Sequence, residues 1–155
     1  MDFYLVRHGE ARSASEDSRR PLSARGRREV EAVARAAAAK KITVATIVHS
    51  DKLRARETAE ILARLIAPAN DVRQISGVAP DDDPEIAKAE MEASTAPLMI
   101  VGHLPHLARL ASLLLTGDRE RPTVEFSTAT IACLSWNAGS WKCSWIIGPE
   151  ELSRG

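Results

Sequence analysis

The chain has 155 residues, of which 45% are hydrophobic and 27% are charged. This length suits one domain, and the composition excludes a disordered, collagen-like or coiled-coil protein. The 21 basic residues balance the 21 acidic ones, so a strongly basic protein that binds nucleic acid or a membrane surface is also excluded. We therefore expect a single domain over residues 1–155, with neither nucleic acid nor membrane as a partner.

Strand and helix patterns alternate along most of the chain. Short apolar runs bounded by polar residues predict strands, and apolar residues repeating every three or four positions predict helices. In chain order the predicted elements are a strand over 3–6, a helix over 26–41, a strand over 43–49, a helix after residue 51, a strand over 72–75, a helix over 84–93, a strand over 98–101, a helix over 106–115, and strands over 130–136 and 141–147.

The last two predicted strands flank the segment 137–140, whose Asn and Gly predict a tight turn and an antiparallel hairpin. Strands that alternate with helices predict a mostly parallel sheet covered on both faces. The fold class is therefore a three-layer α/β/α sandwich with a mixed sheet and a C-terminal antiparallel hairpin. The apolar window 97–115 contains Gly, Pro, His and Arg, which favour a strand, loop and helix over a membrane span.

Unusual polar residues stand at the ends of three predicted strands: Arg7-His8-Gly9, His49-Ser50-Asp51 and Gly102-His103. Ligands of open α/β sheets bind beyond the carboxyl ends of the strands, so these groups are expected to converge. Arg54 lies in the first turn of the next helix, and a helix N-terminus favours anions. Two imidazoles with guanidinium groups predict a pocket for a phosphoryl group.

The proposed chemistry is attack by an imidazole on phosphorus. A neutral His8 has a free nitrogen lone pair near pH 7, and its other ring nitrogen is expected to donate to a backbone carbonyl. Gly9 is expected to allow a sharp turn and leave space for the phosphate. Arg20 is a candidate third guanidinium. Ser50 is a candidate substrate contact, although Ser50 or Asp51 is also expected to cap the following helix. No metal or cofactor is required, because the cations are side chains.

Three motifs resemble those of the histidine phosphatase superfamily, which has the phosphoglycerate mutase-like fold. Arg7-His8-Gly9-Glu10 is similar to its signature, Ser50-Asp51-Lys52-Leu53-Arg54-Ala55-Arg56-Glu57-Thr58 to its second motif, and Gly102-His103-Leu104-Pro105 to its second-histidine motif. Arg20-Pro21-Leu22-Ser23, the segment 126–132 and the short length look more specifically like the SixA-type bacterial phosphohistidine phosphatases. The resemblance covers essentially the whole chain.

This resemblance implies an enzyme that removes phosphate from histidine on a signalling phosphotransfer or phosphotransferase-system protein. His8 would be the nucleophile and would carry a covalent phosphoryl intermediate. Arg7, Arg54 and His103 would form the phosphate pocket, with Arg20 as a fifth member. A phosphate or sulfate ion would fill the same pocket. The chain departs from many relatives at Asp51, where they have Pro.

Larger members of the superfamily supply a glutamic acid as proton donor from an inserted segment, for which this chain has no room. A phosphorylated imidazole leaves without that donor more easily than an alkoxide does. Asp81, Asp82 and Asp83 are alternative donors, although a solvated acidic loop is the simpler interpretation. Two other functions remain open: a small-molecule phosphomonoesterase of the same fold, and a non-catalytic module that binds phosphate or a phosphoprotein.

The remaining histidines, tryptophans and cysteines have simpler interpretations. His49 is expected to pack or cap, and His106 to line the pocket mouth or begin a helix. Trp136, Trp141 and Trp145 are expected to be packing anchors of the hairpin. Cys133 and Cys143 lack the spacing of a zinc site or a disulfide framework, so they are expected to be core thiols of a cytoplasmic protein, which we expect to be a monomer.

Overall fold

A computed structural model describes residues 1–153, which form six strands and five helices. In chain order these elements are β1 (Asp2–Arg7), α1 (Ala24–Ala39), β2 (Thr46–His49), α2 (Leu53–Ile66), β3 (Asp71–Gln74), α3 (Pro84–Ala93), β4 (Leu98–Gly102), α4 (His106–Thr116), β5 (Ile131–Asn137), β6 (Ser140–Ile147) and α5 (Pro149–Ser153). No helix within residues 1–153 has the length and apolar character needed to cross a membrane.

All six strands form one sheet in the order β3-β2-β4-β1-β5-β6. The pairs β1–β4, β2–β4 and β2–β3 are parallel, whereas β1–β5 and β5–β6 are antiparallel. The predicted mixed sheet with a terminal hairpin is therefore confirmed. Ala138 and Gly139 both have positive φ, at 51° and 84°, as a two-residue hairpin turn that follows strand twist requires.

The core has one layer on each face of this sheet, because successive strand side chains point to opposite faces. Tyr4 and Val6 of β1 pack with α1 and α2, whereas Phe3 and Leu5 pack with α3 and α4. The central strands β2 and β4 are buried along their whole length. Helices on both faces hold the carboxyl ends of the parallel strands in fixed positions, and the polar residues of the site follow those ends.

Helix starts agree with the sequence patterns except at α2. Ser23 caps α1 by accepting the N–H of Gly26, and Asp83 caps α3 ahead of Pro84. The expectation that Ser50 or Asp51 caps α2 is wrong, because the N-cap residue is Lys52 and no side chain caps that helix. The Ser50 hydroxyl is engaged by a histidine instead, as described below.

Three further differences concern element bounds. The predicted strand over 43–49 begins only at Thr46, since the N–H of Ala45 donates to Pro97 and the carbonyl of Ala45 accepts from Asn70 outside the ladder. Helix α1 begins at Ala24, two residues before the predicted start, because Ser23 provides the cap. The short helix α5 had no apolar period to predict it, and none of its residues is buried.

Candidate active site

The two histidines that were predicted to form the site, His8 and His103, lie close together where β1 and β4 end side by side. Arg7 pairs with Gly102 in the parallel register, so His8 and His103 leave the sheet as neighbours. The N–H of His8 donates to the Gly102 carbonyl at 3.0 Å. The ring centroids of the two histidines lie 5.0 Å apart, with the planes inclined by 54°. The structure therefore brings both imidazoles to one point.

The His8 ring is held as a neutral imidazole with one nitrogen free. Its Nδ1 lies 2.7 Å from the carbonyl oxygen of Gly9; since a carbonyl only accepts, Nδ1 carries the proton and Nε2 keeps its lone pair. Burial lowers the pKa of His8 to about 4, and the charges of Arg54 and Arg7 act in the same direction, against the Gly9 hydrogen bond. The ring is uncharged at neutral pH, as a nucleophile must be.

His103 is fixed by the Ser50 side chain. The Ser50 Oγ lies 2.6 Å from Nε2 of His103 and accepts the Lys52 N–H at 3.2 Å. Burial lowers the pKa of His103 to about 3, and the neighbouring His8 contributes in the same direction. The Nδ1 atom of His103 is buried and has no hydrogen-bond partner among residues 1–153, so it is the ring nitrogen available to a ligand.

Three arginines surround the two rings without a carboxylate partner. Arg7 donates through Nη1 to the Phe126 carbonyl at 2.9 Å, and its Nε is buried and unpartnered within residues 1–153. The Nε of Arg54 is likewise buried and has no hydrogen-bond partner within residues 1–153. Burial lowers the pKa of both guanidinium groups. Arg20 lies on the loop before α1, where its Nε donates to the Arg12 carbonyl at 3.2 Å. After burial, its positive charge contributes to lowering the pKa of Arg54 and, more weakly, of His8.

This combination is the signature of an anion site. Buried guanidinium N–H groups are costly to leave unpaired, and in the described part of the chain neither Arg7, Arg20 nor Arg54 forms an ion pair. A tetrahedral dianion beside His8 would take their hydrogen bonds and neutralise their charge. Within residues 1–153, no three His, Cys, Asp or Glu side chains are placed to hold a metal ion.

Helix α2 supports this site through residues to which the sequence patterns assigned no role. Thr58 accepts the N–H of Gly9 at 3.0 Å and donates to the Arg54 carbonyl at 2.8 Å. Glu57 accepts the Leu22 N–H at 2.8 Å and pairs with Arg27. These contacts tie the loop after β1 to α2. The usable signal was their spacing of three and four residues from Arg54, which puts them on its side of the helix.

The structure shows why position 9 requires a glycine, and the reason is close packing and not a sharp turn. Its φ is not positive, and a Cβ built there would lie 2.6 Å from Cγ2 of Val30 and 3.2 Å from the Gly26 carbonyl oxygen. Gly26 is tighter, since its Cβ would lie 2.1 Å from the Glu10 carbonyl oxygen. Both glycines are therefore required by the close approach of α1 to the loop that follows His8. That Gly9 also leaves space for the phosphate stays a prediction.

The three aspartates of the acidic loop have separate environments. Asp83 caps α3 by accepting the Glu85 N–H, Asp82 accepts the Ala79 N–H at 2.9 Å, and Asp81 is exposed. Asp83 also pairs with Arg119 at 3.3 Å. The loop is thus partly structural.

The other histidines and the tryptophans mostly pack. His49 is buried with Nδ1 2.8 Å from the Ser50 carbonyl, and His106 begins α4 with no exposed surface. Trp141 packs against Phe3 and against Trp136 with the ring planes tilted by 57° and 51°. The expected packing role of the hairpin tryptophans is confirmed for Trp141 and for Trp145, which packs on Tyr4. It is wrong for Trp136, which is 38% exposed and belongs to neither core layer.

The sequence and the fold of this chain are similar to those of known proteins. The sequence model of the histidine phosphatase superfamily (branch 1) matches residues 3–75. An uncharacterized protein of Picosynechococcus sp. is 35% identical over 126 residues, which are 76% of this chain and 75% of the relative. The structure of the protein histidine phosphatase SixA in complex with tungstate is similar with a TM-score of 0.87 at 27% identity, over 98% of this chain and 99% of that chain.

Two further structures share the fold. One from Agrobacterium tumefaciens that is assigned to SixA has a TM-score of 0.79 at 24% identity, over 96% of this chain and 97% of that chain. A mycobacterial glucosyl-3-phosphoglycerate phosphatase has a TM-score of 0.72 at 18% identity, over 92% and 96% of the two chains. The chain belongs to the histidine phosphatase superfamily. It is a phosphatase whose fold is similar to that of SixA over nearly its whole length, which confirms the expected phosphoglycerate mutase-like architecture.

Proposed function

We propose that this protein is a phosphohistidine phosphatase that dephosphorylates histidine on a signalling phosphotransfer or phosphotransferase-system protein. The observation that carries the proposal is the neutral His8 ring with a free Nε2, beside Arg7 and Arg54, whose buried Nε atoms have no hydrogen-bond partner within residues 1–153. A nucleophile and an anion pocket at one place suit phosphoryl transfer through a covalent intermediate.

In the first step the lone pair of His8 Nε2 attacks phosphorus, and the bond from phosphorus to the substrate nitrogen breaks with its electron pair going to that nitrogen. The hydrogen bond from Nδ1 to the Gly9 carbonyl stabilises the positive charge that develops on the ring. In the second step water attacks phosphorus, and the bond from phosphorus to Nε2 of His8 breaks with its electron pair returning to Nε2. The two water protons leave with the product as dihydrogen phosphate, which releases a proton to solvent. The completed cycle returns His8 to the neutral form that has its proton on Nδ1, toward the Gly9 carbonyl.

The remaining pocket residues stabilise the transferring phosphoryl group. Arg7 and Arg54 supply N–H donors to the equatorial oxygens, where transition-state charge is spread. Arg20 adds a cation from the facing loop. The Ser50 oxygen accepts from Lys52 and lies 2.6 Å from Nε2 of His103. In the proposed mechanism Ser50 donates its proton to Nε2, and the proton of the neutral ring is on the unpartnered Nδ1. His103 then donates to the phosphoryl group as a neutral ring.

The proposed substrate fits the residues around the pocket. Hydrolysis of an alkyl phosphate needs a proton donor for the alkoxide, worth about 10²–10⁴ in rate, whereas imidazole leaves as a stable neutral ring. The tungstate that the SixA structure contains is a tetrahedral oxyanion, and we expect a phosphate or sulfate ion to bind here between the two histidines. The mechanism proposed for this site uses no metal ion.

The cellular setting follows from the same proposal. Cys133 and Cys143 are free thiols that pack into the cores on opposite faces of the sheet, as suits a reducing compartment. We propose a cytoplasmic monomer that meets its phosphorylated partner protein at the open carboxyl edge of the sheet.

A second candidate is a phosphomonoesterase for small molecules, because a mycobacterial glucosyl-3-phosphoglycerate phosphatase shares the fold. Hydrolysis of a phosphohistidine peptide and of a sugar phosphate by the same preparation separates the two. We expect kcat/KM to be at least about 10²-fold higher for the N–P bond. Equal values for the two substrates would favour the second candidate. A His8→Asn variant that keeps the fold should lose turnover of both substrates. A non-catalytic binding module would show no turnover even as the wild-type protein.

A further inference from the structure

A polar groove lies beside the site, beyond the carboxyl ends of β2 and β3. It has a volume of about 190 Å³, and its polar lining comes from Ser50, Asp51, Gln74, Ser76 and Asp82. Pockets that hold whole small molecules measure roughly 300–1,000 Å³, so this groove suits the end of a side chain. It is continuous with the site through Ser50, which also holds His103.

The sheet order places this groove on the far side of the site from the nucleophile. His8 follows β1, His103 follows β4, Ser50 follows β2 and Ile75 follows β3, and these strands are successive neighbours in the order β1-β4-β2-β3. Adjacent strands are about 4.8 Å apart. In an in-line displacement the leaving atom departs opposite to the attacking atom. For attack along this row of strand ends, a group that leaves phosphorus away from His8 moves toward the groove.

The groove differs in charge from the phosphate pocket. Within residues 1–153, the arginines of the phosphate pocket form no ion pair, whereas the residues that line the groove include two carboxylates and no arginine or lysine. Asp51 lies 3.9 Å from the ammonium group of Lys52, which offsets its charge. Asp82 is half-buried, accepts the Ala79 N–H through one oxygen and has no ion-pair partner within residues 1–153. Asp82 thus leaves a net negative charge on the leaving-group side.

We infer that this groove is the leaving-group subsite and that Asp82 makes it selective for a cationic leaving group with N–H donors. For the identity of that group the inference rests on the proposed function: a phosphohistidine ring protonated on its other nitrogen is such a group. When His8 attacks, the N–P electron pair returns to this imidazolium ring, which departs as neutral imidazole without any further proton. A leaving group that carries a carboxylate or a second phosphate is repelled by Asp82.

The test compares Asp82→Asn with the wild-type protein. Asparagine keeps the oxygen that accepts the Ala79 N–H, so the turn is preserved and only the charge is removed. Calorimetry gives the Kd of phosphoethanolamine, which has a cationic leaving group, and of 3-phosphoglycerate, which has an anionic one. We expect the substitution to shift the ratio of the two affinities against the cation by about fivefold, the size of a half-exposed charge interaction.

Two matched variants show whether the shift belongs to the groove. Asp81→Asn removes the same charge from the adjacent exposed residue, which does not line the groove, and it should leave the ratio unchanged. Asp82→Glu restores the charge and should restore most of the cation preference. Equal changes in both affinities for Asp82→Asn, no change in their ratio, the same shift in Asp81→Asn, or no binding of either ligand would overturn the inference.

Phosphohistidine hydrolysis separates this inference from the proposed function. A wild-type protein that does not hydrolyse a phosphohistidine peptide but shows the Asp82-dependent ratio would retain the subsite and lose the proposed substrate. A protein that hydrolyses the peptide with the same kcat/KM in Asp82→Asn as in wild type would retain the function and lose the subsite. We expect the peptide kcat/KM to fall about fivefold in Asp82→Asn, with little change in Asp81→Asn.

Discussion

The Ser50 hydroxyl joins the second histidine to the start of helix α2. Its Oγ lies 2.6 Å from Nε2 of His103 and 3.2 Å from the backbone nitrogen of Lys52. Lys52 immediately precedes the helix that carries Arg54. One hydroxyl therefore couples the position of this imidazole ring to the helix that delivers a guanidinium group.

Ser50→Ala should reduce both activity and stability. Removing the hydroxyl frees the His103 ring and leaves its buried Nε2 without a partner, which costs about 1–3 kcal/mol when the site cannot rehydrate. We expect kcat/KM to fall at least about tenfold, because a mispositioned donor no longer stabilises the transition state. Urea denaturation and steady-state kinetics on the same preparation check this, and an unchanged kcat/KM would show that His103 needs no such anchor.

Arg54→Ala should weaken catalysis strongly, and Arg56→Ala on the same helix should not. Arg54 is half-buried with an unpartnered Nε, whereas Arg56 is exposed and paired with Glu60 at 3.0 Å. Loss of an anion-binding donor costs on the order of 10²–10³ in rate. The expected result is such a loss of kcat/KM for Arg54→Ala with a circular dichroism spectrum like that of wild type. Similar losses in both variants would mean that helix integrity, not the anion contact, was affected.

The two active-site rings should make stability depend on pH. Burial lowers the pKa of His8 to about 4 and of His103 to about 3, so the folded protein keeps both rings neutral after the unfolded chain has begun to protonate near its ordinary pKa of about 6.5. The stabilising contribution is complete above pH 6.5 and is lost as pH falls toward 4, with a slope of up to about 1.4 kcal/mol per pH unit for each ring.

Urea denaturation between pH 7 and pH 4 measures this dependence. The His8→Asn variant lacks one of the two rings, so its free energy of unfolding should decline less steeply over this interval than that of wild type. His8→Asn is compared with wild type at every pH, which cancels the contribution of the carboxylates. Parallel curves for the two proteins would show that His8 titrates normally in the folded state.

Gly26→Ala should destabilise the protein although alanine favours helices. The added Cβ would lie 2.1 Å from the Glu10 carbonyl oxygen, which is backbone and follows the nucleophile by two residues. Displacing it costs on the order of 1–3 kcal/mol, as overpacking does. We expect a lower denaturation midpoint and reduced kcat. Arg28→Ala, at an exposed position of α1, should stay within about 0.5 kcal/mol of wild type, and stability of Gly26→Ala at the level of Arg28→Ala would contradict the packing argument.

The sequence was most informative where a local pattern decides the structure. The alternation of apolar runs predicted all six strands and four of the five helices, and strand ends located the residues that converge, because parallel strands present their carboxyl ends to the same edge. His8 and His103 lie close together because β1 and β4, whose ends they follow, are neighbours in the sheet. The fold class therefore carried most of the site with it.

The sequence pattern could not predict contacts that depend on the direction in which a side chain points. Ser50 looked like a helix cap because it precedes a helix, yet its hydroxyl turns to His103 and Lys52 takes the cap position. Gly9 looked like a turn residue, although its constraint is the approach of Val30 from α1. Asp82 could not be distinguished from Asp81 and Asp83 without knowing that only one of them lines the groove.

The most direct test of the account is the chemical identity of the phosphorylated enzyme. The protein is mixed with a radiolabelled phosphodonor, quenched in base during turnover, and digested for peptide mapping. We predict a label on His8 that survives base, is released by acid and is absent from His8→Asn. A label on another residue, or undiminished turnover in folded His8→Asn, would contradict the nucleophilic role of His8.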